Sequence, residues 1–318
     1  MTSRSFVLFS GEGGSIPPAE ARALFLAYDP LSHFEHPEPR VLLAESRADP
    51  FIVSSRIAFS RRVGILLEEA SEASEWVRDR KIRFRQFSLG LRPSPVEAGA
   101  VLRGIEADID LANPDYEFTL VDGEKRYLVL TRPSIMRQEW SLRRPRKRPF
   151  FHPSAIFPKL SRALVNLSRC REGGILLDPF AGTGSLPIEA AEVGARVIAA
   201  DQVLKMTTGA LLNMKRFKQD WLGVVRADAF ASPIRRVDAV ATDIPYGRAS
   251  STRGSAVMGI IERTLSCLPQ IVGRGSRVVL MHPSSVPVES TEELAVEEEH
   301  YLYVHKRLTR AITILRRN

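Results

Sequence analysis

Cysteine is nearly absent from this chain, which carries only Cys170 and Cys267 in 318 residues. Neither stands near another Cys or a His at metal-ligand spacing, so neither a zinc cluster nor a disulfide framework is expected, and a reducing compartment is. No apolar run approaches the ~18 residues that a membrane-spanning helix needs, and residues 1–5 are too polar to open a signal peptide. A soluble cytoplasmic protein follows as the expectation. The composition is that of an ordinary globular chain, 26% charged and 44% hydrophobic, which excludes disordered and collagen-like classes. At ~150 residues per domain the length suggests two domains. Lys and Arg number 45 against 37 Asp and Glu, a formal charge of +8.

Acid is the second scarcity, and it is local. Residues 132–171 hold eleven Lys or Arg and one acid, Glu139. Arg143, Arg144, Arg146, Lys147 and Arg148 are nearly contiguous, broken only by Pro145 and Pro149. Such a run reads either as a solvated linker or as a linker that lies on phosphates. Both readings divide the chain into a first region at 1–132, a basic linker at 133–150 and a second region at 151–318.

The two sides differ in pattern. Before the linker, strand-like runs at 6–9, 40–45, 83–89, 117–121 and 127–131 alternate with helical runs at 18–27, 54–67, 72–80 and 95–108. Asp122-Gly123 between the last two strands predicts a two-residue hairpin turn. This is a small α+β pattern without a catalytic constellation, which suggests a binding module. After the linker, strands at 174–177, 196–200, 223–226, 237–242 and 276–282 alternate with helices from 185, at 203–217 and at 256–268. That alternation predicts an α/β fold, a mostly parallel sheet covered by helices on both faces. Runs at 301–304 and 311–315 read as a closing hairpin, and the six glutamates of 289–299 as an exposed acidic loop.

The chemistry concentrates at strand ends. In Leu177-Asp178-Pro179-Phe180-Ala181-Gly182-Thr183-Gly184-Ser185 an apolar strand ends in an acid and a glycine turn opens a helix, where doubly wound sheets bind ligands. A Walker loop would need Gly-Lys-Ser/Thr at its end, and a dinucleotide fingerprint a third Gly or Ala where Pro187 stands. A carboxylate at Asp178 would repel a pyrophosphate and suit an ammonium group. Asp201 ends the second strand, placed to accept from ribose hydroxyls, and Asp228 follows the third. Each acid alone would serve equally as a helix cap. Together they describe a ligand with an amino-acid moiety, a ribose and an adenine but no phosphate: S-adenosylmethionine. Asp243-Ile244-Pro245-Tyr246-Gly247 ends the fourth strand. There a carboxylate and the Ile244 carbonyl can accept from an exocyclic amine while Tyr246 stacks on its ring.

These motifs resemble class I methyltransferases with an Asp/Asn-Pro-Pro-Tyr/Phe signature. Residues 152–167, 243–251 and 305–310 are similar to the THUMP-containing tRNA guanine-N2 methyltransferases, among them those acting on guanosine 10. The resemblance implies a Rossmann-like, mostly parallel seven-stranded domain preceded by an α+β THUMP-type RNA-binding region with a ferredoxin-like segment. It further implies that Asp178, Phe180, Gly182, Thr183 and Gly184 line the methionine end of the cofactor, with His152 as a further contact. Asp201 would hold the ribose, and Asp228 with Ala229 the adenine. Asp243, Pro245 and Tyr246 would hold the guanine, with Asp243 also bordering the cofactor, and Arg143, Arg144, Arg146, Lys147 and Arg148 would grip tRNA. By the same resemblance no metal and no obligatory protein partner is expected, and a monomer is; no membrane is expected either, from the lack of a long apolar run. Ile244 departs from the pattern, which has proline there and implies a looser turn. Amino methylation of another structured RNA or of DNA, and a catalytically silent tRNA-binding protein, are the alternative readings.

Overall fold

The computed structural model describes residues 3–90, 95–133, 140–217, 221–231, 233–246, 253–305 and 308–318. The chain forms two compact units, Met1–Glu12 with Tyr28–Arg137, and Gly13–Ala27 with Gln138–Asn318. The division differs from the sequence expectation in one element, because helix α1 (Ile16–Tyr28) lies almost wholly in the second unit. Its buried Glu20 accepts a hydrogen bond from Asn166 Nδ2 at 2.8 Å, Ser15 Oγ meets His300 Nδ1 at 2.8 Å, and Arg22 pairs with Glu298 at 3.4 Å. Among the described residues no helix is long and apolar enough to cross a membrane.

The first unit holds one eight-stranded sheet of β1 (Ser3–Phe9), β2 (His33–Glu38), β3 (Val41–Ser46), β4 (Ser60–Leu67), β5 (Lys81–Ser88), β6 (Asp108–Ile109), β7 (Tyr116–Asp122) and β8 (Arg126–Thr131). The strand order is β2-β3-β1-β4-β8-β7-β5-β6. Three helical expectations shrink. The run at 54–67 splits into α2 (Pro50–Arg56), started by Pro50 and an Asp49 cap on the Phe51 amide at 2.7 Å, and the strand β4. Gly64 lets β4 pass close to the neighbouring β8: a Cβ there would collide with the Leu130 carbonyl. The runs at 72–80 and 95–108 keep only α3 (Ser74–Val77) and α4 (Ala98–Val101) as α-helix. The β7–β8 hairpin forms as expected, but residues 123–125 make its loop. The Glu38 carboxylate lies in the space that a Cβ at Gly123 would take, so a side chain there would have to displace it.

The second unit is built on β9 (Ile175–Asp178), β10 (Arg196–Asp201), β11 (Gly223–Arg226), β12 (Ala239–Asp243), β13 (Arg277–Pro283), β14 (Leu294–His305) and β15 (Leu308–Arg317), with α5 (Pro158–Leu167), α6 (Ser185–Glu192), α7 (Leu204–Phe217) and α8 (Arg253–Cys267). The order is β11-β10-β9-β12-β13-β15-β14, parallel from β11 through β13, with β15 antiparallel to both of its neighbours. This is the mostly parallel seven-stranded α/β sheet expected. The order reverses between β9 and β12, the switch point beyond whose carboxyl ends such sheets take ligands. The glutamate run is a loop only in its first half: Glu289, Glu292 and Glu293 are exposed before β14, whereas residues 294–299 lie in β14, where Glu297 pairs with Arg277 at 3.0 Å and Arg316 at 3.2 Å.

Candidate functional site

Asp178 and Asp243 end the two strands that flank the switch point. Asp178 is 1% exposed, and its Oδ1 accepts from the Thr242 hydroxyl at 2.6 Å and the Phe180 amide at 3.2 Å. Burial pushes its pKa up to about 7, against the lowering by these two bonds. The glycine turn follows. Gly182 (φ 51°) and Gly184 (φ 83°) sit in the left-handed region that glycine alone adopts without strain. A Cβ at Gly182 would meet nothing within 4 Å, so this turn borders open space. Gly184 caps α6, and Thr183 beside it has a buried hydroxyl with no partner among the described residues.

Asp201 is tied to that turn. Its Oδ2 accepts from the Gly182 amide at 3.0 Å and its Oδ1 from the Val203 amide at 2.8 Å, so the acid both shapes the glycine turn and precedes α7. Asp228 is exposed and accepts from the Phe230 amide at 3.0 Å, with half-buried Ala229 between them. Phe230 was not anticipated from sequence. Its ring meets Phe180 edge-on at 6.1 Å between centroids, and the Arg263 guanidinium lies 3.9 Å from its centroid. An aromatic two residues beyond a strand-end acid is the signal that points to it.

Asp243 carries the sharpest feature. Oδ2 accepts from Arg310 Nη1 at 2.9 Å, while Oδ1 is buried and has no hydrogen-bond partner among the described residues. Burial pushes its pKa up to about 6 although Arg310 pulls it down. The other fork of Arg310 donates to the Tyr246 hydroxyl, and its guanidinium lies 5.2 Å from the centre of that ring. Burial raises the Tyr246 pKa. Pro245 is exposed between them. At Ile244 the amide donates to the Met281 carbonyl at 2.8 Å, and the side chain is fully buried in the sheet-helix core. Gly247 and residues 248–251 of the motif, with 306–307 of the 305–310 segment, lie outside the described residues. Arg310 belongs to that segment, and the resemblance implies no role for it.

The basic run separates into two sets. Arg143 and Arg148 are 4% and 5% exposed, which corrects the expectation that they lie on phosphates. Arg143 pairs with Glu189 at 2.7 Å and Glu192 at 3.1 Å, and Arg148 donates to the Ser185 hydroxyl at 2.7 Å. Glu189, fully buried and also paired with Arg162 at 2.8 Å, needs these cations. Arg144, Arg146 and Lys147 are exposed, and Arg146 lies 5.9 Å from the centre of the half-exposed Phe151 ring. His152 Nδ1 is engaged locally by Ser154, at 2.7 Å from its hydroxyl and 3.3 Å from its amide.

Residues 145–312 match the UPF0020 family model, described as the RMKL-like methyltransferase domain. The tRNA (guanine(10)-N2)-dimethyltransferase of Methanothermobacter thermautotrophicus is 29% identical, covering 98% of both chains. The protein of that name from Methanocaldococcus jannaschii is 31% identical over 79% of this chain and 72% of its own. Among solved structures, TrmN from Thermus thermophilus aligns with a TM-score of 0.51 and 18% identity over 99% of this chain and all of that one, which shows a shared fold. The strand order, the glycine turn at the switch point and these matches agree: the chain belongs to the UPF0020 methyltransferase family, together with the archaeal tRNA (guanine(10)-N2)-dimethyltransferases.

Proposed function

We propose that this methyltransferase transfers methyl from S-adenosylmethionine to the exocyclic N2 of a guanosine in tRNA, at position 10, giving N2-methyl- and N2,N2-dimethylguanosine. The observation that carries the reading is Asp243 Oδ1, a buried carboxylate oxygen without a partner among the described residues, at the carboxyl end of β12 beside an aromatic ring. An amino group bonded to a flat ring supplies what it lacks. The names of the two archaeal relatives support tRNA and the N2 of guanine 10 as substrate and atom.

The residues fit the methyl donor. The open space at Gly182, the Thr183 hydroxyl, which has no partner among the described residues, and the Asp178 carboxylate suit an α-amino acid moiety. Asp201 keeps a lone pair on each oxygen for ribose hydroxyls, and Ala229 with Phe180 and Phe230 offers an apolar lining for adenine. When bound, S-adenosylmethionine supplies a methyl group made electrophilic by its sulfonium. Asp243 Oδ1 accepts an N2 hydrogen, which orients the nitrogen lone pair, and takes up the proton that N2 releases on alkylation. Tyr246 holds the ring plane, with Pro245 stiffening the turn, and positioning supplies most of the catalysis. His152, held by Ser154, borders the cofactor. The first unit, as a THUMP-type region, and Arg144, Arg146 and Lys147 grip the phosphates while the base is extruded in the cytoplasm.

Incubation with S-adenosylmethionine and an unmodified tRNA transcript, followed by nucleoside mass spectrometry with Asp243→Ala as control, tests this. Methylated guanosine from the unaltered protein alone is expected. Methyl groups appearing mainly in DNA or ribosomal RNA, or tight tRNA binding without cofactor binding, would overturn it.

A further inference from the structure

Among the described residues only one of the two Asp243 oxygens has a hydrogen-bond partner. Arg310 supplies it from β15, 67 positions along the chain. One nitrogen of its fork holds Asp243 Oδ2 at 2.9 Å and rests 3.5 Å from Met281 Sδ, while the other holds the Tyr246 hydroxyl. Carboxylate and aromatic ring are therefore bound by one rigid, planar cation, which is 15% exposed. A two-pronged donor of this kind fixes geometry that a point charge cannot.

We propose that Arg310 is the positioning residue of the site: it locks Asp243 so that Oδ1 alone is presented to the amino group of the base, and holds the Tyr246 ring in register with that oxygen. The inference rests on the proposed reaction. Arg310 from β15 favours the ionised form of Asp243 against the effect of its burial, and the Asp243 carboxylate in turn raises the pKa of Asp178 on β9 and of Tyr246 in the β12 turn.

The test compares Arg310→Ala and Arg310→Lys with the unaltered protein, reading kcat and KM for tRNA, the pH profile of kcat, and cofactor affinity by calorimetry. Misplacement on the ångström scale costs ~10²-fold, so kcat of Arg310→Ala should fall by about that factor with KM and cofactor affinity within ~3-fold. Its acid limb should also move to higher pH. Arg310→Lys, which keeps the charge without the fork, should restore the acid limb but not kcat. An unchanged kcat, a loss confined to KM, or an equal loss of cofactor affinity in both variants would overturn the assignment. If the unaltered protein makes no N2-methylguanosine, the proposed reaction itself fails, and that result is read independently of either variant.

Discussion

The Ile244 amide donates to the Met281 carbonyl at 2.8 Å, one residue past the end of β12, and so extends the β12–β13 ladder to the edge of the site. A proline cannot make this bond. The signature proline that Ile244 replaces would stiffen the turn through its ring; here a ladder bond and a buried side chain do so. Ile244→Pro should therefore destabilise, by ~2–4 kcal/mol, since it orphans a carbonyl and removes buried methyl groups. Denaturant unfolding checks it, and a gain in stability would mean that the proline suits the turn better.

Asp178 trades stability for charge at the site. Its folded pKa of about 7 lies above the ordinary carboxylate value, so the folded state keeps this proton over pH ~4–7 after the unfolded chain has released it. Stability from this group is intact below pH ~4 and is lost as pH rises through about 7. Asp178→Asn keeps an acceptor for Thr242 and Phe180 without the buried charge. It should raise the Tm at pH 8 by ~2–4 °C or more, with the gain vanishing near pH 4, and should weaken cofactor binding. A gain independent of pH would place the cause elsewhere.

Local features were legible in the sequence, and relations between distant strands were not. The glycine turn and the acids at 178, 201 and 243 announce themselves because each is an apolar run ending in an acid within a few residues. Arg310 could not be assigned a task, because its meeting with Asp243 exists only after β15 inserts antiparallel beside β13. The run at 143–148 misled for a related reason. A contiguous cluster of cations reads as a surface, yet Arg143 and Arg148 turn inward onto Ser185 and Glu189 of α6. Helix α1 carries an apolar pattern that names no partner; the buried Glu20–Asn166 bond supplies it.

The division of the basic run is separable by experiment. Arg143→Ala leaves Glu189 and Glu192 short of a buried cation and should destabilise by ~3 kcal/mol in denaturant unfolding. Joint replacement of Arg144, Arg146 and Lys147 by Ala, all exposed, should leave stability within ~0.5 kcal/mol. That triple variant should weaken tRNA binding and reduce the slope of log K against log salt by about 2 to 3. An unchanged slope would make the segment a linker alone.

The reaction should depend on the ionisation of Asp243, and the sign is set by its role. Only the carboxylate can take up the proton released at N2, and burial raises its pKa to about 6. With cofactor saturating, kcat/KM for tRNA should rise about tenfold per pH unit below about 6 and level off above about 7, and kcat should show an acid limb set by the same carboxylate in the bound complex. Asp178 titrates nearby, at about 7, but it serves the cofactor, so its protonation should appear in the cofactor KM instead of in kcat. Asp243→Asn retains an oxygen acceptor and loses the base. Its residual kcat should be ~10²-fold lower or less than that, and flat across pH 5–8, because nothing remains at this position to titrate. An acid limb that survives in Asp243→Asn would transfer the proton to another group and overturn the role given to Oδ1.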